Sequence, residues 1–127
     1  MKIKITSGKA RAFAWLNSTK SAVMIWDALP LEGVAHAWGE EIYFQVPVKM
    51  GEENPREVVN FGDLAYWPEG NSLCIFFGRT PLSQGDEIRA ASPVNILGRI
   101  INDPRVFKNI SETKAIVERV ERGVECI

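Results

Sequence analysis

The chain of 127 residues has the length of one domain, and residues 1–127 are expected to fold as a single unit. Hydrophobic residues make up 46% and charged residues 24%, the balance of a folded domain with one core. With 15 basic and 16 acidic residues, the chain carries no cluster of lysine and arginine, so nucleic acid is not an expected partner.

The first part of the chain predicts a β-hairpin followed by a helix. Charged and apolar residues alternate in KIKIT, residues 2–6, which is typical of a half-buried strand. A second strand is predicted in KARAFAWL, residues 9–16, after a turn at Ser7-Gly8. A helix is predicted over residues 19–29, because apolar residues recur at helical spacing after an Asn-Ser-Thr cap and before Pro30.

The next segment, GVAHAWGEEIYFQVPV at residues 33–48, predicts two strands or one bulged strand around a break at Gly39. Tyr43 and Gln45 are expected on one face of this strand, opposite Ile42, Phe44 and Val46. The polar residues 51–63 predict a loop with a short strand at residues 57–59.

The second half of the chain predicts three more strands, at residues 64–67, 73–77 and 93–101. A short helix is predicted at residues 103–110, with Asp103 as its N-cap and proline at its first position. Residues 111–123 fit a helix or a strand equally well. Many short strands separated by turn signals favour a mainly β barrel or sandwich with two short helices.

Three segments resemble the cyclophilins. GDLAYWPEGNSLCIFFGRTP, residues 62–81, has the layout of a cyclophilin strand, a turn with Gly and Asn, and a strand that ends in a Phe-Phe pair. PVNILGRIINDPRVFKNI is similar to the later strand, turn and helix of that family, and STKSAVMIWDAL to its first helix. WGEEIYF, ENPREVV, GDLAYWP and FFGRTP further resemble small prokaryotic cyclophilin-like proteins of unknown function. The resemblance covers most of the chain.

The resemblance implies a closed antiparallel barrel of about eight strands, with a helix near each open end and a strand at residues 111–123. It does not imply efficient prolyl isomerase activity. Cyclophilins use an arginine in a Phe-His-Arg strand, whereas the corresponding strand here, AHAWGEEIYFQV, contains no arginine, and His36 is the one histidine. The nearest substitutes, Arg56 and Arg79, are expected on other segments. Whether the chain is an enzyme stays open at this point.

Two adjacent carboxylates, Glu40 and Glu41, should point to opposite sides of their strand. The favoured interpretation is a solvated turn, and a functional carboxylate at Glu41 is the alternative. Together with Arg56 and Arg79, Glu41 is a candidate catalytic residue.

Four aromatic residues are candidates for ligand binding: Tyr43, Tyr66, Trp67 and Phe76. A tyrosine on the outer face of a barrel can pack its ring while its hydroxyl reaches a ligand. By the resemblance, one phenylalanine of the Phe-Phe pair lines a peptide groove, and Phe76 is chosen for this role. Phe77 is expected in the core with Leu73 and Ile75.

The first functional hypothesis is binding of a peptide or a small metabolite in a groove beside the Phe-Phe strand, without chemistry. The second is an enzyme that acts on an amide or lactam, since the barrel also resembles domains of bacterial complexes that open 5-oxoproline or allophanate. Glu41, Tyr66 and Arg79 would then serve proton transfer and oxyanion stabilisation. The third is weak prolyl isomerase activity that uses Arg56 or Arg79.

The remaining features predict no cofactor and no metal. Cys74 and Cys126 are expected to be free thiols, because two cysteines make no disulfide framework, and with His36 they make no zinc site. No phosphate-binding loop or dinucleotide fingerprint occurs in the sequence. The sequence MKIKITSGKA lacks a signal-peptide core, and no apolar run approaches the ~20 residues that span a bilayer, so a cytoplasmic protein without a membrane partner is expected. The sequence gives no indication of the oligomeric state.

Overall fold

The computed structural model describes residues 1–121, and this part of the chain is mainly β. It contains one α-helix, α1 (Lys20–Ala28), which lies between the second and third of nine strands. The strands are β1 (Lys2–Ser7), β2 (Ala10–Leu16), β3 (Leu31–Ala37), β4 (Glu41–Gln45), β5 (Arg56–Val59), β6 (Asp63–Trp67), β7 (Ser72–Phe76), β8 (Ile88–Ile100) and β9 (Thr113–Arg119). Two short 3₁₀ turns lie at Pro68–Gly70 and Pro104–Phe107. No helix among residues 1–121 is long and apolar enough to cross a membrane.

Eight of the strands form an antiparallel ring in the order β2-β1-β9-β3-β4-β7-β6-β8, and pairing of β2 with β8 closes the ring. Within residues 1–121, the ninth strand, β5, pairs with β8 alone and lies outside the ring. The predicted barrel of about eight antiparallel strands is therefore confirmed. Strand β9 also confirms the strand that the resemblance implied for residues 111–123.

The interior of the ring is filled by apolar side chains, as expected for a barrel of this size. Every second residue of the strands points inward, and the largest of these side chains are fully buried: Ile3, Ile5, Ile42, Phe44, Leu64, Tyr66, Leu73, Ile75 and Leu97. Helix α1 adds Ala22 and Ile25 to this cluster, and the second 3₁₀ turn adds Phe107. Both predicted helical segments therefore cover the inner core.

The helix α1 nearly matches its prediction, with Thr19 as the N-cap whose side chain accepts from the Ala22 N–H. A carboxylate also reaches its first turn from a distant loop, because Glu53 accepts from the N–H and the hydroxyl of Ser21 at 2.8 and 2.6 Å. The other predicted helix, at residues 103–110, is a single 3₁₀ turn capped by Asp103, which accepts from the Arg105 N–H.

Strand β8 is longer than predicted, because it begins at Ile88 and not at Pro93. Its second half belongs to the ring, while its first half turns outward and pairs with β5. We call β5 together with residues 88–94 the outer flap. The flap packs on the outer face of the ring and forms a second apolar cluster that contains Val59, Ala65, Cys74, Phe76, Ile88, Ala90 and Val94. The fold therefore has a second, smaller core outside the barrel.

Candidate functional site

A cavity of about 170 Å³ lies between the outer face of the ring and the outer flap. Strands β4, β6 and β7 form its floor, and residues 90–94 of the flap form its cover. The lining residues are Trp38, Glu41, Tyr43, Trp67, Cys74, Ala90, Ala91 and Val94. Glu41 is the one formally charged side chain among them, so the cavity combines an apolar, aromatic wall with a single acid.

A tight turn between β3 and β4 brings Glu41 to this cavity. The Trp38 N–H donates to the Glu41 carbonyl at 2.9 Å, and Gly39 adopts a left-handed φ of +60°. A Cβ at Gly39 would lie 2.9 Å from the Arg79 carbonyl oxygen, so this position suits glycine both by conformation and by space. Alternation along β4 then directs Glu41 and Tyr43 outward, toward the flap.

The Glu41 side chain is buried, with 4% of its surface exposed, and its Oε1 has no hydrogen-bond partner among residues 1–121. Burial raises the pKa of Glu41 from an ordinary 4.5 to about 7, and a hydrogen bond with the Cys74 thiol offsets part of this effect. The favoured interpretation of Glu41 as part of a solvated turn is therefore wrong. Its neighbour Glu40, in the turn before β4, is half-buried and does not line the cavity.

The Cys74 thiol faces Glu41 from the neighbouring strand, where Cys74 is the cross-strand partner of Tyr43. Burial raises the pKa of Cys74 well above its ordinary value, and the nearby Glu41 carboxyl raises it further. The thiol therefore stays protonated at neutral pH and is not an activated nucleophile. The prediction of a free thiol is confirmed for Cys74, while Cys126 lies outside the described residues.

Two aromatic rings form adjoining walls of the cavity. The rings of Tyr43 and Trp67 meet edge to face, with centroids 6.1 Å apart and an interplanar angle of 83°. The indole N–H of Trp67 donates to Ser92 Oγ, which ties this wall to the flap. The indole donor is thus already in use, and it does not serve Glu41.

The structure brings together two of the four predicted binding residues, Tyr43 and Trp67, at the cavity. It places Tyr66 on the inner face of the ring, fully buried, where its hydroxyl donates to the Val48 carbonyl at 2.6 Å. Phe76 points to the outer face, as expected, but it is fully buried in the second cluster and does not line the cavity. The predicted core positions Leu73, Ile75 and Phe77 are confirmed.

The two candidate arginines lie outside the cavity. Arg79 is exposed and donates to the Ser83 carbonyl at 3.0 Å. Arg56 is exposed on β5, beside a separate polar groove that also contains Asp63 and Arg99. Of the three catalytic candidates, the structure places only Glu41 in the cavity.

Several lining residues were not identified as site residues from the sequence, namely Trp38, Cys74, Ala90, Ala91 and Val94. Trp38 could have been found, because it directly precedes the predicted break at Gly39. The small residues of the flap carry no such signal, since their role depends on where β8 folds back. Among residues 1–121, no group of three His, Cys, Asp or Glu side chains is arranged to hold a metal ion.

The chain is similar to one family model and to solved structures of two other proteins. A family model described as cyclophilin-like matches residues 1–119. The solution structure of a hypothetical protein from Archaeoglobus fulgidus is 38% identical, with a TM-score of 0.79, over 94% of this chain and 95% of that chain. McbB, solved in complex with tryptophan, is 13% identical with a TM-score of 0.70 over 92% of this chain and 44% of McbB, which shows a shared fold alone. No curated protein matches the sequence.

Proposed function

The chain belongs to the cyclophilin-like family, and we propose that it binds a small molecule in the cavity under the outer flap, with Glu41 as the polar anchor. One observation carries this proposal: a buried carboxyl with an unpartnered oxygen lines an otherwise apolar, aromatic cavity. Ligand pockets commonly have this composition, in which a few polar groups fix the orientation of a ligand held by apolar walls. Strand β7 ends at Phe76, the first residue of the Phe-Phe pair, and its residue Cys74 lines the proposed site.

The size of the cavity favours a small metabolite over a peptide. An engineered apolar cavity of about 150 Å³ accommodates benzene, so the 170 Å³ found here suits a ligand of about one ring. A peptide could place at most one side chain in such a volume. The flap also covers the site from one side, which suits a compact ligand better than an extended chain.

The energetic cost of Glu41 supports a functional role for this residue. Removal of an ionised carboxylate from water costs several kcal/mol unless partners compensate, and one oxygen of Glu41 has no partner among residues 1–121. An apolar side chain at position 41 would pack against the flap without this penalty. A perturbed carboxyl in a pocket is a common mark of a binding or catalytic site.

Proton transfer by Glu41 is the second candidate function, and its pKa of about 7 favours it. A carboxyl with this pKa can both accept and release a proton at neutral pH. Amide or lactam hydrolysis has less support, because it also needs donors for an oxyanion. Tyr66 and Arg79 were the candidates for that role, and neither side chain reaches the cavity. Weak prolyl isomerase activity through Arg56 or Arg79 lacks support for the same reason.

The proposal is tested by ligand titration followed by ¹H–¹⁵N NMR, with indole, cyclohexanol and tryptophan as probes. Tryptophan is included because McbB was solved with it. A true site gives saturable shifts for amides of β4, β7 and the flap. Ala91→Phe, at the exposed rim of the cavity, should abolish these shifts. Val23→Phe is the control, since it adds the same ring at an exposed position of helix α1, outside the cavity lining.

Two results would contradict the proposal. The first is a set of shifts that scatter over the surface without saturation. The second is saturable binding that Ala91→Phe leaves intact, because the ligand would then occupy a different site.

A further inference from the structure

We propose that the ligand of this cavity is a small ammonium cation, a ring-sized amine whose N–H is accepted by Glu41 and whose charge lies against Tyr43 and Trp67. This inference names the ligand class for the proposed binding function and rests on it. Three separate features of the cavity favour an ammonium ligand: its charge, its hydrogen-bonding groups and its aromatic walls.

The charge of the cavity favours a cation. Glu41 is its one formally charged lining residue, and no lysine, arginine or histidine of the described chain lines it. The other titratable side chains at the cavity are Cys74 and Tyr43, which carry no charge in their protonated forms. An anionic ligand would meet repulsion from the Glu41 carboxylate. A cation instead compensates the one formal charge that lines the cavity.

The hydrogen-bonding groups indicate that the ligand brings a donor. Oε1 of Glu41 accepts from no group among residues 1–121. The indole N–H of Trp67 is already bonded to Ser92, so this donor of the wall does not serve Oε1. An ionised carboxylate can only accept hydrogen bonds. An ammonium N–H supplies the missing partner, and a charge-assisted hydrogen bond of this kind is among the strongest in proteins.

The aromatic walls complete the match to a cation. Trp38, Tyr43 and Trp67 all line the cavity, and the last two meet at nearly a right angle. Aromatic faces attract a cation electrostatically, most strongly where water is excluded, and cages of two or three rings recognise alkylammonium groups. A neutral apolar ligand would gain from these rings but leave Oε1 of Glu41 without a partner. The combination of cage and carboxylate therefore selects an amine.

A matched pair of ligands tests the inference: piperidine, which is a cation at neutral pH, and tetrahydropyran, a neutral ring of the same size. We expect piperidinium to bind at least tenfold more tightly by calorimetry at pH 8, where Glu41 is mostly ionised. Glu41→Gln should bring the two dissociation constants together. Glu40→Gln, which removes a carboxylate just outside the cavity, should leave the preference for piperidinium in place.

The pH dependence in the wild-type protein gives a second readout that needs no variant. Glu41 titrates near pH 7 in the cavity, and alkyl amines stay protonated to about pH 10. Affinity for piperidinium should therefore rise as pH increases from 5 to 8, whereas affinity for tetrahydropyran should not. At pH 7, binding should release about half a proton, measured from the buffer dependence of the binding enthalpy.

The outcomes separate this inference from the function on which it rests. Tighter binding of piperidinium that depends on Glu41 and on pH supports it. Equal binding, or tighter binding of tetrahydropyran, overturns the ammonium class and leaves small-molecule binding in place. If neither probe nor the panel of indole, cyclohexanol and tryptophan binds saturably, the proposed function fails, and this inference fails with it.

Discussion

The buried carboxyl of Glu41 should make the stability of the protein depend on pH in a way that one substitution removes. Its pKa is raised in the fold, so the native state binds more protons than the unfolded state between pH 4.5 and about 7. The free energy of unfolding therefore falls as pH rises through this window. Glu41→Gln replaces the carboxyl by an amide, which has the same shape but is neutral and cannot ionise.

The magnitude follows from the two pKa values. A pKa raised from 4.5 to about 7 lowers the free energy of unfolding by about 3 kcal/mol above pH 7, and by less than ~1 kcal/mol at pH 5. The free energy of unfolding of Glu41→Gln, relative to that of wild type, should therefore be about 2.5 kcal/mol higher at pH 8 than at pH 5. For a domain of this size, that corresponds to a difference of roughly 10 °C in Tm.

Urea unfolding of both proteins at pH 5 and pH 8 measures this effect. Other carboxyl groups contribute equally to wild type and variant, so the difference between the two proteins isolates position 41. Glu40→Gln reports the effect of one carboxylate removed outside the cavity. If Glu41→Gln and wild type differ by the same amount at both pH values, the carboxyl is not buried as described, and the argument from its cost loses its basis.

Three further predictions concern the surroundings of the cavity. Tyr66→Phe removes the inward hydroxyl, so it should lower stability by about 1 kcal/mol in urea unfolding and leave probe binding unchanged; weaker binding would place Tyr66 in the site. Gly39→Ala should lower the free energy of unfolding by at least ~1 kcal/mol more than Gly85→Ala does. Both glycines have φ +60°, but of the two only Gly39 lacks space for a Cβ, so equal effects would refute the close approach at Gly39. Cys74 should react with iodoacetamide only as the protein unfolds, and peptide mass spectrometry measures this labelling. Rapid labelling of Cys74 in native buffer would contradict its burial.

The strand pattern and the fold could be predicted because local signals and the global fold agree. Period-two alternation identified β1, β2 and β4, and the Phe-Phe segment linked β6 and β7 to a known barrel. The beginning of β8 was missed, because Pro93 usually marks the start or the edge of a strand. Here it lies beside the register shift between β5 and β8, where the ladder is interrupted and the absent N–H costs little.

The site could be predicted only in part, because its two sides come from distant segments. Alternation could not tell which face of β6 carries Tyr66, since Ala65, Tyr66 and Trp67 are all apolar or aromatic. Burial of Glu41 was not foreseen, because charged residues are rarely buried and nothing near Glu41 in sequence covers it. The cover comes from residues 90–94, and only the folded chain shows that contact.

The position of the cavity also explains how one barrel could host a site without loss of its core. A ring of eight strands is just wide enough for side chains to fill, and here its interior is packed with buried apolar residues. A ligand inside the ring would therefore have to displace the main core. The outer flap instead builds a second layer from β5 and the first half of β8, and Glu41 points from the ring strand β4 into the space between the two layers. A ligand in this cavity therefore leaves the main core of the ring in place.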